Sequence, residues 1–310
     1  MRPMTAANPL LLEDAIRRKL DPLTLHARKV RAGAIKGDRR STRHGTSIEF
    51  ADYRNYAHGD DLRRLDWNVY ARTGRPYIKL LEDEEDLAVH VLLDASLSMD
   101  WPPVDSAEAD TVQDAHKMLF ARRLLAGLAY VALTTNDQLM LTAFRGGGDD
   151  SFGPVRGRGQ IVPMLRYAHA LRAEGVLDLN AVLRDYATRA RRPGLCFVIS
   201  DLLNAGGYAD GLNALVGRGF EVIVLHVLSP DEISPPLTGD LRLIDVETGD
   251  IREISVDADM RELYARRVTA WRDEIRAACG RRGVTYVPLQ TGVAWEKAIL
   301  YDLRRVGVVR

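Results

Sequence analysis

Four short and almost continuous apolar segments restrict the fold of this chain more than any other feature. They span residues 87–93, 195–199, 221–228 and 284–289. Segments of this length that lack alternation are typical of strands buried on both faces of a parallel sheet. Segments with helical spacing lie between them, at about 111–133, 160–172, 179–191 and 260–278, and another strand is predicted over 138–144. Alternating strands and helices predict a doubly wound, mostly parallel α/β sheet.

Two segments depart from this alternation. Residues 1–86 are predicted to form an N-terminal extension to an α/β domain over residues 87–310. Its helical pattern over 10–33 leads into a basic arm at 28–43, and five consecutive acids follow at 82–86. The arm is either a solvated segment or a patch that binds phosphate or a partner. An alternating segment at about 240–256, with turn residues at 247–250, predicts a β-hairpin inserted into the domain.

Composition excludes several classes of protein. The 310 residues carry 43 Lys and Arg against 43 Asp and Glu, which argues against a protein devoted to nucleic acid. Two cysteines are too few for a disulfide framework and lack zinc-site spacing. No signal peptide and no stretch of ~20 apolar residues is present, so we expect no membrane span and a cytoplasmic location.

Polar residues follow two of the apolar strands at the point where each strand ends. Asp94, Ser96 and Ser98 come after the first strand, and Asp201 comes after the strand at 195–199. In a sheet ordered 3-2-1-4-5-6 these strands are neighbours at the switch point, so the two acids are expected to face each other across the crevice. Carboxylate and hydroxyl oxygens suit Mg²⁺. A helix cap or a turn is the alternative interpretation of the first group.

The same residues resemble the metal-ion-dependent adhesion site of von Willebrand factor A domains. The segment upstream contains a group of charged and aromatic signature residues: Arg54, Tyr56, Asp60, Arg63, Asp66, Trp67 and Arg72. With these residues the segment resembles the bacterial family of unknown function called DUF58. This second resemblance implies a von Willebrand factor A-like protein that acts with a MoxR-type AAA+ ATPase, and with a client protein, in chaperone-like maturation or assembly. The signature residues are expected either to pin the front segment to the sheet or to recognise a partner.

One position departs from the adhesion-site pattern. Leu177 stands where the pattern has a metal-binding Thr, and leucine offers no oxygen. Three outcomes follow: Asp178 turns inward as a substitute ligand, water fills the position, or the site does not hold metal tightly. We expect a binding protein and not an enzyme. The alternative is a metal-dependent hydrolase that uses the crevice between Asp94 and Asp201, although a phosphatase of the haloacid dehalogenase type needs an acid where Ser96 stands.

Overall fold

The computed structural model describes residues 11–27, 49–57, 65–82, 87–103, 115–245 and 249–310. Helices and strands follow one another over most of this length. In chain order they are α1 (Asp14–Leu20), β1 (Glu49–Asn55), α2 (Trp67–Thr73), β2 (Tyr77–Glu82), β3 (Ala88–Asp94), α3 (Lys117–Thr134), β4 (Gln138–Arg145), β5 (Gly148–Val155), α4 (Ile161–Ala170), α5 (Leu179–Arg189), β6 (Leu195–Ser200), α6 (Ala209–Gly217), β7 (Glu221–Leu228), the one-turn helix α7 (Pro230–Ile233), β8 (Gly239–Ile244), β9 (Ile251–Val256), α8 (Ala258–Arg281) and β10 (Thr285–Gln290).

A six-stranded sheet in the order β10-β7-β6-β3-β4-β5 forms the centre of the α/β unit. All neighbouring strands are parallel except the edge pair of β4 and β5. Every residue of β3, β6 and β7 is buried, as the apolar segments predict. The doubly wound α/β fold is therefore confirmed, with β3 and β6 adjacent at the switch point. The antiparallel edge strand β5 is an addition, since the sequence there reads as a glycine-rich loop.

Two hydrophobic clusters cover the two faces of this sheet. One contains the buried side of α3 and packs against α4 and the C-terminal segment. The other contains α5 and α6 together with Ile275 and Cys279 of α8. Most of α3 is buried, which marks it as the central helix of its layer. Its first residue, Lys117, contacts Asp201 directly after β6 and so contributes to the site described below.

The described residues near the N-terminus belong to the same compact unit as residues 87–310. Leu25 bridges to Val309, and the N–H of Thr24 donates to the carbonyl of Arg310. The predicted extension over 1–86 therefore differs from the structure, which groups only residues 36–86 as a second unit. The helix predicted over 10–33 is also shorter, since α1 ends at Leu20 and Pro22 has no backbone N–H with which to continue the helix.

The second unit contains β1 and β2 as an antiparallel pair, with α2 between them in sequence. Asp66 caps α2 by accepting from the backbone N–H groups of Asn68 and Val69. The inserted hairpin is present as the antiparallel pair β8 and β9. Among the described helices, none is long and apolar enough to cross a membrane.

Candidate functional site

Asp94, Ser96 and Ser98 lie together at the carboxyl end of β3, as the sequence predicts. One carboxylate oxygen of Asp94 accepts from the backbone N–H of Ser96 at 3.0 Å and from its hydroxyl at 2.7 Å. The other oxygen accepts from the hydroxyl of Ser200, at the end of β6, at 2.7 Å. The Oγ atoms of Ser96 and Ser98 are 3.1 Å apart. Both carboxylate oxygens of Asp94 therefore have hydrogen-bond donors from the chain itself.

Asp201 is engaged by a lysine that the sequence analysis did not single out. The Nζ atom of Lys117 lies 2.7 Å from Oδ2 of Asp201 and 2.5 Å from Oε1 of Glu232. The side chain of Lys117 is 0% exposed and that of Asp201 is 1% exposed, whereas that of Glu232 is 19% exposed. Three residues that are distant in sequence thus form one buried ionic cluster beside Asp94.

Local structure fixes each member of this cluster. Lys117 begins α3, and its backbone N–H donates to the carbonyl of Trp101 at 2.7 Å. Glu232 forms a capping box with Ser229 at the start of α7, which fixes the position of its carboxylate. Leu202, directly after Asp201, has a left-handed backbone with φ of 55°, a conformation that non-glycine residues rarely adopt. Strained backbone of this kind is concentrated at functional sites.

The electrostatic environment of Asp94 differs from that of a surface carboxylate. Burial, together with the negative charge of Asp201, raises the pKa of Asp94 from 3.8 to about 6. Hydrogen bonds from Ser96 and Ser200 act in the opposite direction and keep the rise moderate. The two acids are therefore close enough to interact across the switch point, which is the juxtaposition that the sheet order predicts.

The residues at this edge do not fit a Mg²⁺ site as they stand. Mg²⁺ requires near-octahedral oxygen ligands and keeps several of its waters. Asp201 is directed to the ammonium group of Lys117, so a cation already occupies the position next to this carboxylate. In the part of the chain that the structure describes, no group of three or more His, Cys, Asp and Glu side chains is placed to hold a metal ion.

Asp178 and Leu177 do not join the cluster. Asp178 is exposed and caps α5, where its carboxylate accepts from the N–H of Ala181 at 3.0 Å. Leu177 is buried in the second hydrophobic cluster. The inward turn of Asp178 considered above is therefore replaced by an ordinary helix cap, and Leu177 has a packing role at the position where the adhesion pattern has Thr.

The signature residues upstream are only partly described. Asp66 caps a helix, Trp67 is 61% exposed, Tyr56 is half-buried and Arg72 is exposed. Arg54 lies in β1 opposite Ile78 of β2. Asp60 and Arg63 lie outside the described residues, as do the basic arm at 28–43 and part of the acidic run.

The two strand histidines and the two cysteines have contacts that are typical of residues with a structural role. His90 pairs with the hydroxyl of Tyr186 at 2.7 Å. His226 pairs through one ring nitrogen with the hydroxyl of Tyr286 at 2.7 Å and through the other with the carbonyl of Asp201 at 2.9 Å. Burial lowers the pKa of both histidines from 6.5 to about 4. Cys196 and Cys279 are free and buried.

Three loops that are bonded to this edge of the sheet carry exposed apolar side chains. We call Trp101, Val176 and Leu203 the apolar rim; they are 39%, 55% and 47% exposed. The loop that carries Val176 is joined to the loop after β3, since Gly175 accepts from the N–H of Leu97 at 2.8 Å. The N–H of Leu203 donates to Asp201. Two of the rim residues are thus bonded through their backbone to members of the cluster, and the loop of the third is bonded to the loop that carries Ser96 and Ser98.

Comparison with known proteins gives one family and several relatives. The family described as "Protein of unknown function DUF58" matches residues 52–274. An uncharacterized protein of Mycobacterium tuberculosis and another of Mycobacterium bovis are each 28% identical over 294 residues, which is 94% of this chain and 87% of each relative. An uncharacterized protein of Mycobacterium avium is 33% identical over 118 residues, which is 38% of this chain and 69% of that relative.

Two solved structures are similar at low identity. An aerotolerance-related membrane protein from Bacteroides fragilis is 19% identical with a TM-score of 0.40, over 71% of this chain and 99% of that chain. The VWA domain of SpRpn10 is 11% identical with a TM-score of 0.33, over 71% of this chain and 95% of that chain.

Proposed function

The chain belongs to the DUF58 family, and we propose that it is a non-enzymatic protein-binding module with a von Willebrand factor A-like fold. Its binding surface is the apolar rim at the carboxyl edge of the central sheet. The partner in this proposal is a MoxR-type AAA+ ATPase, and the process is chaperone-like maturation or assembly of a client protein. A cytoplasmic location remains part of the prediction from sequence.

The observation that carries the proposal is the contrast between the rim and the cluster beneath it. Trp101, Val176 and Leu203 expose apolar surface on neighbouring loops, whereas Asp94 and Asp201 below them are buried. In open α/β sheets, ligands bind outside the carboxyl ends of the strands at the switch point. Tryptophan is among the residues that dominate binding energy in protein interfaces, and burial of the exposed apolar surface of Val176 and Leu203 against a partner adds a hydrophobic contribution.

Hydrolysis through the same crevice has less support from these contacts. A catalytic carboxylate has to lie within hydrogen-bond reach of the group on which it acts. Asp201 is 1% exposed at its side chain and is paired with Lys117, while both oxygens of Asp94 accept bonds from serine residues and their backbone. We therefore do not propose the metal-dependent hydrolase as the function of this chain.

The identity of the partner rests on the family resemblance and not on the chemistry of the site. A fold of this type supports many functions, so the partner has to be tested separately from the surface. We distinguish the two by using a purified MoxR-type ATPase from the same organism as the probe and by changing single rim residues.

Leu203→Asp and Val176→Asp are expected to weaken ATPase binding at least 10-fold in a biolayer interferometry titration. Val162→Asp is the matched control. Val162 is 57% exposed on the first turn of α4, where an acid is tolerated. The segment just before α4 lies beside Asn136 at the C-terminal end of α3, whereas Trp101 of the rim is bonded to the N-terminal end of α3. Equal affinity for all four proteins would show that the rim is not the interface. A wild-type chain that fails to bind the ATPase would remove this partner.

A further inference from the structure

We infer that the ammonium group of Lys117 is a built-in substitute for the divalent ion of an adhesion-type site, so that this edge of the sheet works without metal. The family resemblance leads one to expect Mg²⁺ between Asp94 and Asp201. The structure instead places a fully buried cation from the chain itself against Asp201 and Glu232. A positive charge from inside the protein thereby offsets part of the negative charge of Asp201 and Glu232.

The position of Lys117 is unfavourable unless these carboxylates compensate for it. Lys117 is the first residue of an 18-residue helix, and the N-terminal end of a helix carries partial positive charge that disfavours a cation. Burial of its ammonium group adds a desolvation cost. Contacts of 2.7 Å and 2.5 Å with two carboxylates offset both terms. A lysine that was merely tolerated would turn its charged end to solvent.

The presence of lysine and not arginine at position 117 is also consistent with a side chain that replaces a metal ion. Only six of the 43 Lys and Arg residues of this chain are lysine. An ammonium group is a compact point charge with three donors, whereas a guanidinium group is a planar fork. A compact charge is what a site shaped for a single ion can accommodate. A lysine side chain thus resembles a bound metal ion more closely than an arginine side chain does.

The carboxylate oxygens that do not contact Lys117 accept hydrogen bonds from other groups of the chain, so none of them requires a metal ion as a partner. Asp94 accepts three hydrogen bonds from Ser96 and Ser200. Asp201 accepts from the N–H of Leu203 with its second oxygen. Glu232 accepts from the backbone of Ser229 with its second oxygen. Each carboxylate is therefore satisfied by donors from the chain.

This inference deepens the proposed function, and it rests on that function only where it concerns the partner. A metal ion at such a site offers an open coordination position to a carboxylate of the partner. Lys117 is 0% exposed and offers none. Binding through the apolar rim should therefore be independent of divalent ions. The tests below measure ion binding and stability, so their outcome does not depend on whether the ATPase is the partner.

The first test titrates the full-length wild-type chain and Asp201→Asn with Mn²⁺, and measures free Mn²⁺ by electron paramagnetic resonance. The inference predicts the same weak binding isotherm for both proteins, because Asp201 is already paired with Lys117. Tighter binding by the wild type that is lost in Asp201→Asn would overturn the inference. Both proteins are expected to fold, since Lys117 keeps Glu232 as a partner in the variant.

The second test uses Lys117→Ala, which removes the ammonium group and leaves space beside two carboxylates. The inference predicts that this variant gains Mn²⁺ binding, and that Mg²⁺ raises its melting temperature while leaving that of the wild type unchanged. A folded Lys117→Ala protein that binds no more Mn²⁺ than the wild type would contradict the claim that the ammonium stands in for an ion. If the variant does not fold, the comparison of wild type with Asp201→Asn still decides the question.

Discussion

Neutralising Lys117 is expected to destabilise the protein more than any change at a surface charge. Lys117→Met keeps most of the length of the side chain and removes its charge. Because Lys117 and Asp201 are 0% and 1% exposed at the side chain, the variant leaves a carboxylate buried without a cation. Breaking a buried pair in this way costs about 3–5 kcal/mol. Glu232 keeps partial hydration at 19% exposure, so we expect a loss near the lower end, about 3 kcal/mol.

A double-mutant cycle separates the charge pair from simple loss of packing. Asp201→Asn alone is expected to cost about 2 kcal/mol, since Lys117 retains Glu232 as a charged hydrogen-bond partner. Lys117→Met combined with Asp201→Asn removes both charges of the pair, so the two losses should not add. We expect a coupling free energy of about 2 kcal/mol. The assay is urea unfolding of the four proteins at pH 7, followed by circular dichroism.

An exposed ion pair of the same chain provides the control. Arg266 and Glu262 lie on α8 with N and O atoms 3.3 Å apart, and both side chains are about two thirds exposed. A cycle on this pair is expected to give at most about 0.5 kcal/mol, as exposed pairs generally do. A coupling between Lys117 and Asp201 that is as small as this control would refute the ionic account of the cluster.

Three further predictions concern the surrounding fold. Burial holds the pKa of His90 at about 4 in the folded state against 6.5 when unfolded, so the unfolded state binds the proton first as pH falls. His226 has the same shift and remains in His90→Gln, so we expect urea unfolding to show that this variant loses about 2 kcal/mol less stability between pH 7 and pH 5 than the wild type does. An added Cβ at Gly194 would lie 2.1 Å from the carbonyl oxygen of Ala88, so thermal unfolding should show that Gly194→Ala is destabilised by about 1–3 kcal/mol. Gly217 has open space around it, so Gly217→Ala is the control and should be neutral or slightly stabilising. Leu177→Thr restores the residue of the adhesion pattern, but its side chain is buried in an apolar cluster. We therefore expect urea unfolding to show a loss of about 2 kcal/mol, and we expect no Mn²⁺ binding. A gain of Mn²⁺ binding would show that the missing Thr, and not Lys117, is what keeps metal out.

The sheet and the position of its polar edge follow from local sequence. The segments that form β3, β6 and β7 are apolar throughout because both faces of each strand are buried, and this pattern is readable without a structure. Asp94 and Asp201 follow two of these strands directly, so the order of the sheet brings them together. The edge strand β5 could not be predicted in the same way, because its sequence Gly-Asp-Asp-Ser-Phe-Gly-Pro-Val is polar and mostly exposed.

The partners of the predicted acids could not be read from the sequence. Lys117 lies 84 residues from Asp201 and 115 residues from Glu232 along the chain. Helical spacing predicts a helix over about 111–133 that includes this lysine, but it does not show whether the charged end meets solvent or a carboxylate. The pairing depends on where α3 begins relative to the ends of β6 and β7, which is a property of the packed sheet.

The most direct test of the central claim is a crystal structure of the wild-type chain grown or soaked with MnCl₂, with anomalous data collected at the manganese absorption edge. We predict Lys117 Nζ in contact with Asp201 and Glu232, and no anomalous peak within coordination distance of Asp94 or Asp201. A manganese peak bridging these two acids, with Lys117 displaced from them, would contradict the account.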